Sequence, residues 1–136
     1  MKSSIHIALA AVLLLGSGLA LASDSKVSLT GKEEVPAVES AATGTGTITV
    51  GADKSVTGSI TTKGIDGIAA HIHQGAAGKN GPPIIALEKG DGGTWKVPKG
   101  STLTDEQLAS YKAGELYVNV HSAAHKGGEI RAQLKP

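Results

Sequence analysis

The sequence contains no cysteine and no phenylalanine. Without cysteine the fold holds no disulfide, and neither thiolate catalysis nor soft thiolate metal binding is open to it. Aromatic residues amount to Trp95, Tyr111 and Tyr117. The core must therefore be built from Val, Ile, Leu and Ala. Charge of either sign is also in short supply, with 13 Lys and Arg against 12 Asp and Glu and no basic run. With so few aromatics, that balance argues against nucleic-acid binding. A phosphate-cradling loop is missing too. The glycines from Gly75 to Gly81 lack both a Lys-Ser/Thr ending and a following helix. No serine nucleophile constellation stands out, because Ser122 follows His121 directly and neighbours on a strand point apart.

One long apolar run is present, at the amino terminus. Lys2 supplies a positive charge, and the run from Ile5 to Leu21 is rich in Ala and Leu. Ala20, Leu21 and Ala22 form a small-x-small pattern before Ser23 and Asp24. This layout reads as a secretory signal peptide over residues 1–22, removed from the mature chain. The run is short for a membrane span of about 20 apolar residues, and Gly16, Ser17 and Gly18 interrupt it. Residues 23–136 have the length of one domain. No second apolar span follows, so the mature chain is expected to be soluble, periplasmic or secreted, and free of the membrane after cleavage.

The mature sequence reads as short strands separated by turns. Val27 to Leu29, Gly46 to Val50 and Val56 to Thr62 alternate apolar and polar residues, the mark of half-buried strands. Gly51 to Lys54 has hairpin-turn chemistry. Further strands are predicted over Ile65 to His73, Ile84 to Leu87, Leu116 to His121 and Glu129 to Leu134, with a Gly- and Pro-rich loop from Gly75 to Pro83. One helix is predicted from about Asp105 to Ala113, because Thr104 and Gln107 fit a capping box and Gly114 suits a helix end. Many short strands and one short helix point to an all-β, antiparallel Greek-key barrel or sandwich.

Chemistry concentrates in four mature histidines: His71, His73, His121 and His125. Successive side chains on a strand point to opposite faces. With Ala70 and Ile72 turned to the core, His71 and His73 share the outer face, their Cα atoms roughly 6.5 Å apart. Two imidazoles at that spacing can converge on one ion. By the same alternation Val118 and Val120 point inward, so Tyr117, Asn119 and His121 point outward; Glu129, Arg131 and Gln133 go out from the last strand. Three strands thus place polar groups on an outer surface. Each piece also has a plain reading: a His-x-His on a strand is commonly an exposed polar stripe, Glu129 and Arg131 commonly form a surface ion pair, and His125 can simply be solvated.

The residues also resemble a known family, the CHRD domain. The resemblance rests on Leu29-Thr30-Gly31-Lys32-Glu33-Glu34-Val35-Pro36, Gly44-Thr45-Gly46, Ala70-His71-Ile72-His73-Gln74-Gly75-Ala76 and Asn80-Gly81-Pro82-Pro83. It continues with Leu103-Thr104, Gly114 to Ser122 and Gly128 to Leu134, and so covers almost the whole mature chain. The family is similar in fold to copper/zinc superoxide dismutase, which implies an antiparallel Greek-key β-barrel or sandwich. His71-Ile72-His73 resembles the dismutases' copper-binding strand. The chain lacks the dismutase cysteines and any histidine between His73 and His121. Dismutase activity is therefore not implied, and no catalytic residue is assigned.

Two functions follow as expectations. The first is a non-catalytic metal-binding module for copper or zinc, with His71, His73 and His121 as ligands and His125 or a water as a fourth. Asn119, Glu129 and Arg131 would orient the imidazoles. The single Met departs with the signal peptide, and copper(I) prefers soft ligands, so an all-nitrogen site leans to copper(II) or zinc. The second is a structural or protein-interaction domain without metal, whose protein partner the sequence does not name.

Overall fold

A computed structural model describes residues 22–136 of the chain. The signal-peptide reading falls, apart from Ala22, outside the described residues. The described residues pair nine strands into two antiparallel sheets. The first sheet holds β1 (Ser23–Leu29), β2 (Thr43–Val50), β3 (Val56–Lys63), β7 (Thr94–Lys96) and β6 (Glu88–Lys89), in that spatial order. The second holds β5 (Pro83–Ala86), β4 (Gly67–Gln74), β8 (Leu116–Ser122) and β9 (Ile130–Gln133). The chain crosses between sheets three times, after β3, β5 and β7. Of the two architectures expected, the sandwich is the one formed, and no barrel closes. A lone bridge between Thr30 and Arg131 links the sheets at one corner.

Alternation in the sequence accounts for the sandwich. β3 buries Val56, Ile60 and Thr62 and exposes Thr57, Thr61 and Lys63. Ala70 and Ile72 of β4, Val118 and Val120 of β8, and Ile130 of β9 meet Leu29, Ile48, Ile60 and Trp95 in a single core. Ile72, Val118, Val120, Ile130 and Leu134 are all essentially inaccessible, as their alternation predicts. Burying each such side chain contributes about 1.5–3 kcal/mol. The 51–54 segment forms its turn, with Gly51 N–H donating to the Ser55 carbonyl at 2.8 Å.

The α-helix of the described residues, α1 (Asp105–Lys112), carries β7 back to β8. Its capping box is complete: Gln107 N–H donates to Thr104 Oγ1 at 3.1 Å and Thr104 N–H to Gln107 Oε1 at 2.9 Å. Tyr111 pins the helix down, donating its hydroxyl to Ser23 Oγ at 2.9 Å. Among the described residues no helix is long and apolar enough to cross a membrane.

One expectation needs correction. The outer face of the second sheet is not an exposed surface. All seven residues of β8 are buried, including Tyr117, Asn119 and His121, and Arg131 of β9 is 1% exposed. Loops cover this face because its polar side chains hold them. Arg131 donates to the Ala76 carbonyl at 3.0 Å, and Gln133 Nε2 donates to the carbonyls of Gly75 and Gly114, each at 3.0 Å. Ser40 Oγ ties the 34–40 segment to Glu129 at 2.7 Å.

Candidate metal centre

Strand register builds the site. Across β4 and β8, Ala69 pairs with His121, His71 with Asn119 and His73 with Tyr117. Across β8 and β9, Asn119 pairs with Arg131 and Tyr117 with Gln133. Side chains of one face recur every two residues. His71, His73 and His121 therefore surround Asn119 on the outer face. One ring nitrogen from each of the three histidines lies within 4.8 Å of the other two. His71 Nδ1 stands 3.1 Å from His121 Nε2.

The remaining ring nitrogens fix the tautomers. His73 Nδ1 is 2.9 Å from the Gly81 carbonyl, and His121 Nδ1 is 2.8 Å from the Lys126 carbonyl. A carbonyl can only accept, so each Nδ1 carries the hydrogen and each Nε2 keeps its lone pair. Backbone carbonyls in this position are the usual partners of metal-ligating histidines. His73 Nε2 is buried and has no hydrogen-bond partner. A buried acceptor left unmatched costs about 1–3 kcal/mol, and a metal ion would use that lone pair.

Electrostatics favour the neutral form of His71 and His73. Burial holds the His71 imidazole below its ordinary pKa, and the neighbouring His121 and His73 add to the effect. Burial also lowers His73, outweighing the hydrogen bond to Gly81 and the contact with Asn119. Neutral imidazole is the ligand form. Three neutral nitrogens with no sulfur suit copper(II) or zinc, so the donor set fits the ion that the sequence suggests.

The wall of the site is a stack. Tyr117 lies parallel to His73 with centroids 4.7 Å apart, and the Arg131 guanidinium carbon stands 3.5 Å from the Tyr117 ring centre. Gly81 N–H donates to the Tyr117 hydroxyl at 3.0 Å, so one residue of the 75–82 loop holds both rings. Gly81 must be glycine, because a methyl group there would collide with the Gln74 carbonyl.

The other residues named from the sequence are placed as follows. Asn119 is 2% exposed and lies against both the His73 ring and the Glu34 carboxyl. Glu129 does not reach an imidazole nitrogen: its oxygens accept from Ser122 and Ser40, each at 2.7 Å. Burial pushes its carboxyl up, but those two hydrogen bonds outweigh it and hold the pKa below the usual value. Arg131 packs on Tyr117 and donates to the Ala76 carbonyl and to Gln133 Oε1 rather than to a histidine. His125 is not in the three-histidine group; its half-buried side chain lines a cleft of about 520 Å³ with Glu34 and Glu39.

Sequence reasoning missed Glu34, Gly81 and the Lys126 carbonyl. Glu34 and Gly81 lie in loops, where no periodicity assigns a direction. A backbone carbonyl carries no sequence signal at all.

A family model for the CHRD domain matches residues 25–134. Comparison with curated proteins and with solved structures finds no match.

Proposed function

The chain belongs to the CHRD domain family, and on that premise we propose that it is an exported domain that binds one copper(II) or zinc ion through His71, His73 and His121 without catalytic turnover. CHRD domains are generally extracellular, in keeping with the signal-like layout of residues 1–22. One observation carries the metal reading. Three ring nitrogens converge within 4.8 Å, while the opposite nitrogens of two of the rings are tied to backbone carbonyls. Bound there, the ion would supply a Lewis-acidic centre. The chain's own part is orientation. Gly81 and Lys126 fix two rings, and the Tyr117 stack prevents His73 from turning away.

The second reading, a structural or protein-interaction domain without metal, draws on a different observation. Arg131, Gln133 and Glu129 spend their hydrogen bonds holding loops. Metal content separates the two. Mature protein purified from the exported compartment should carry about one copper or zinc per chain on the metal reading. Metal-free protein that also ignores added copper and zinc would leave the second reading standing.

A further inference from the structure

Glu34 is the only buried carboxyl among the described residues, and Arg131 the only buried lysine or arginine. Both flank Asn119. The Glu34 carboxyl and the Asn119 amide nitrogen both border the Gly128 backbone, and Arg131 pairs with Asn119 across β8 and β9. Glu34 reaches this place from outside the sheet. It closes the 3₁₀ turn Gly31–Glu33, donating its N–H to the Gly31 carbonyl at 3.1 Å. Gly128, with φ of +121°, leaves the opening in which the two side chains meet; a methyl group there would collide with Glu34 Oε2.

Three side chains in contact sequence, Glu34, Asn119 and His73, each end in a buried polar atom without a partner: Oε1, Oδ1 and Nε2. Asn119 Oδ1 and His73 Nε2 both carry lone pairs and no hydrogen, so neither can satisfy the other. Folding alone disfavours one such atom, and here three sit side by side. All three are acceptors, so the group they lack is a cation or a donor. Neutral imidazoles bring no charge to a divalent ion, and Arg131 nearby adds to the positive side. A buried charge needs an opposite partner.

We infer that Glu34 is a positioning residue of the three-histidine site: it holds Asn119 in place beside His73, and it supplies the one buried negative charge that offsets a divalent ion beside Arg131. Glu34 is not itself a ligand, since it lies outside the group whose ligand atoms converge. The inference rests on the metal reading.

The test uses the full mature chain and Glu34→Gln, which keeps the shape and removes the charge. Competition titration with zinc and with copper(II) gives affinity, the copper(II) electron-resonance spectrum reports the ligand field, and denaturant unfolding gives stability without metal. Ser40→Ala serves as control, because it frees the same loop from Glu129 without touching the carboxyl. Glu34→Gln should bind about 10–100-fold more weakly, the range for lost outer partners of metal ligands. Its copper spectrum should shift, and its metal-free stability should not fall below that of the wild type. Ser40→Ala should keep the wild-type spectrum. Unchanged affinity and spectrum in Glu34→Gln, or equal weakening in Ser40→Ala, would overturn the inference. So would a loss of metal-free stability that tracks the loss of affinity, since Glu34 would then be a structural anchor. A wild type that binds neither metal would overturn the metal reading itself, and this inference with it.

Discussion

Tyr117 lies flat on His73, with ring planes 3° apart and centroids separated by 4.7 Å. The pair is a direct product of register, since the two residues face each other across β4 and β8. Stacking in the offset-parallel manner contributes about 0.5–1.5 kcal/mol beyond burial. It also removes one direction in which the imidazole could swing.

Substitution at Tyr117 should separate the two roles of the ring. Tyr117→Phe keeps the stack but leaves the Gly81 N–H without its acceptor. It should cost about 1 kcal/mol in denaturant unfolding and leave metal affinity nearly unchanged. Tyr117→Ala removes the stack and the surface under Arg131, and should cost about 3–5 kcal/mol, as for other large aromatic truncations.

The core prediction is simpler. Ile130 is fully buried, so Ile130→Ala should destabilise the fold by about 2–5 kcal/mol and Ile130→Val by about 0.5–1.5 kcal/mol. Unfolding curves of both variants check the ordering. Equal stability of all three proteins would mean that this register is wrong.

Gly81→Ala should act on the site through the backbone. The added methyl meets the Gln74 carbonyl, so the 75–82 loop must move and carry the Gly81 carbonyl away from His73 Nδ1. Metal affinity should fall by about 10–100-fold. Gly78→Ala, in the same loop, meets no atom within 4 Å but sits at φ +78°. It should affect stability modestly and affinity little. Titration of both variants makes the comparison.

Stability should depend on pH in two opposed ways. Burial holds His71 and His73 below their ordinary pKa. As pH falls through about 6.5, the unfolded chain takes protons that the folded chain does not, and stability falls. Glu34 is raised by burial, against the opposing pull of Asn119 and Arg131. The folded chain therefore keeps a proton the unfolded chain has lost, and stability falls as pH rises from about 4.5 through the raised value. Glu34→Gln removes the second trend. Metal-free Glu34→Gln should gain stability steadily from about pH 5 to 6.5. A flat or falling profile in that variant would contradict the assignment of neutral, buried histidines.

Much of the fold was legible because it depends on alternation. Ile72, Val118 and Ile130 could be assigned to the core from period two alone, and the Thr104–Gln107 capping box located the helix. The short strands β6 and β7 escaped, since two or three residues such as Thr94-Trp95-Lys96 carry no measurable period. At the site, strand alternation brought His71, His73 and His121 to one face. It could not say that loops would cover that face, because which loop lies over it is set by hydrogen bonds that Arg131 and Gln133 donate to distant carbonyls and that Glu129 accepts from Ser40. For the same reason Glu129 was expected near an imidazole and instead binds Ser40 and Ser122, while Glu34 arrives unannounced from a loop.

Calorimetric titration of copper(II) and zinc into the mature chain and into the His71→Ala/His73→Ala double variant tests the central claim most directly. The account predicts about one ion per wild-type chain, affinity that weakens as pH drops below about 6.5, and loss of most binding in the double variant. Equal binding by wild type and double variant would contradict it.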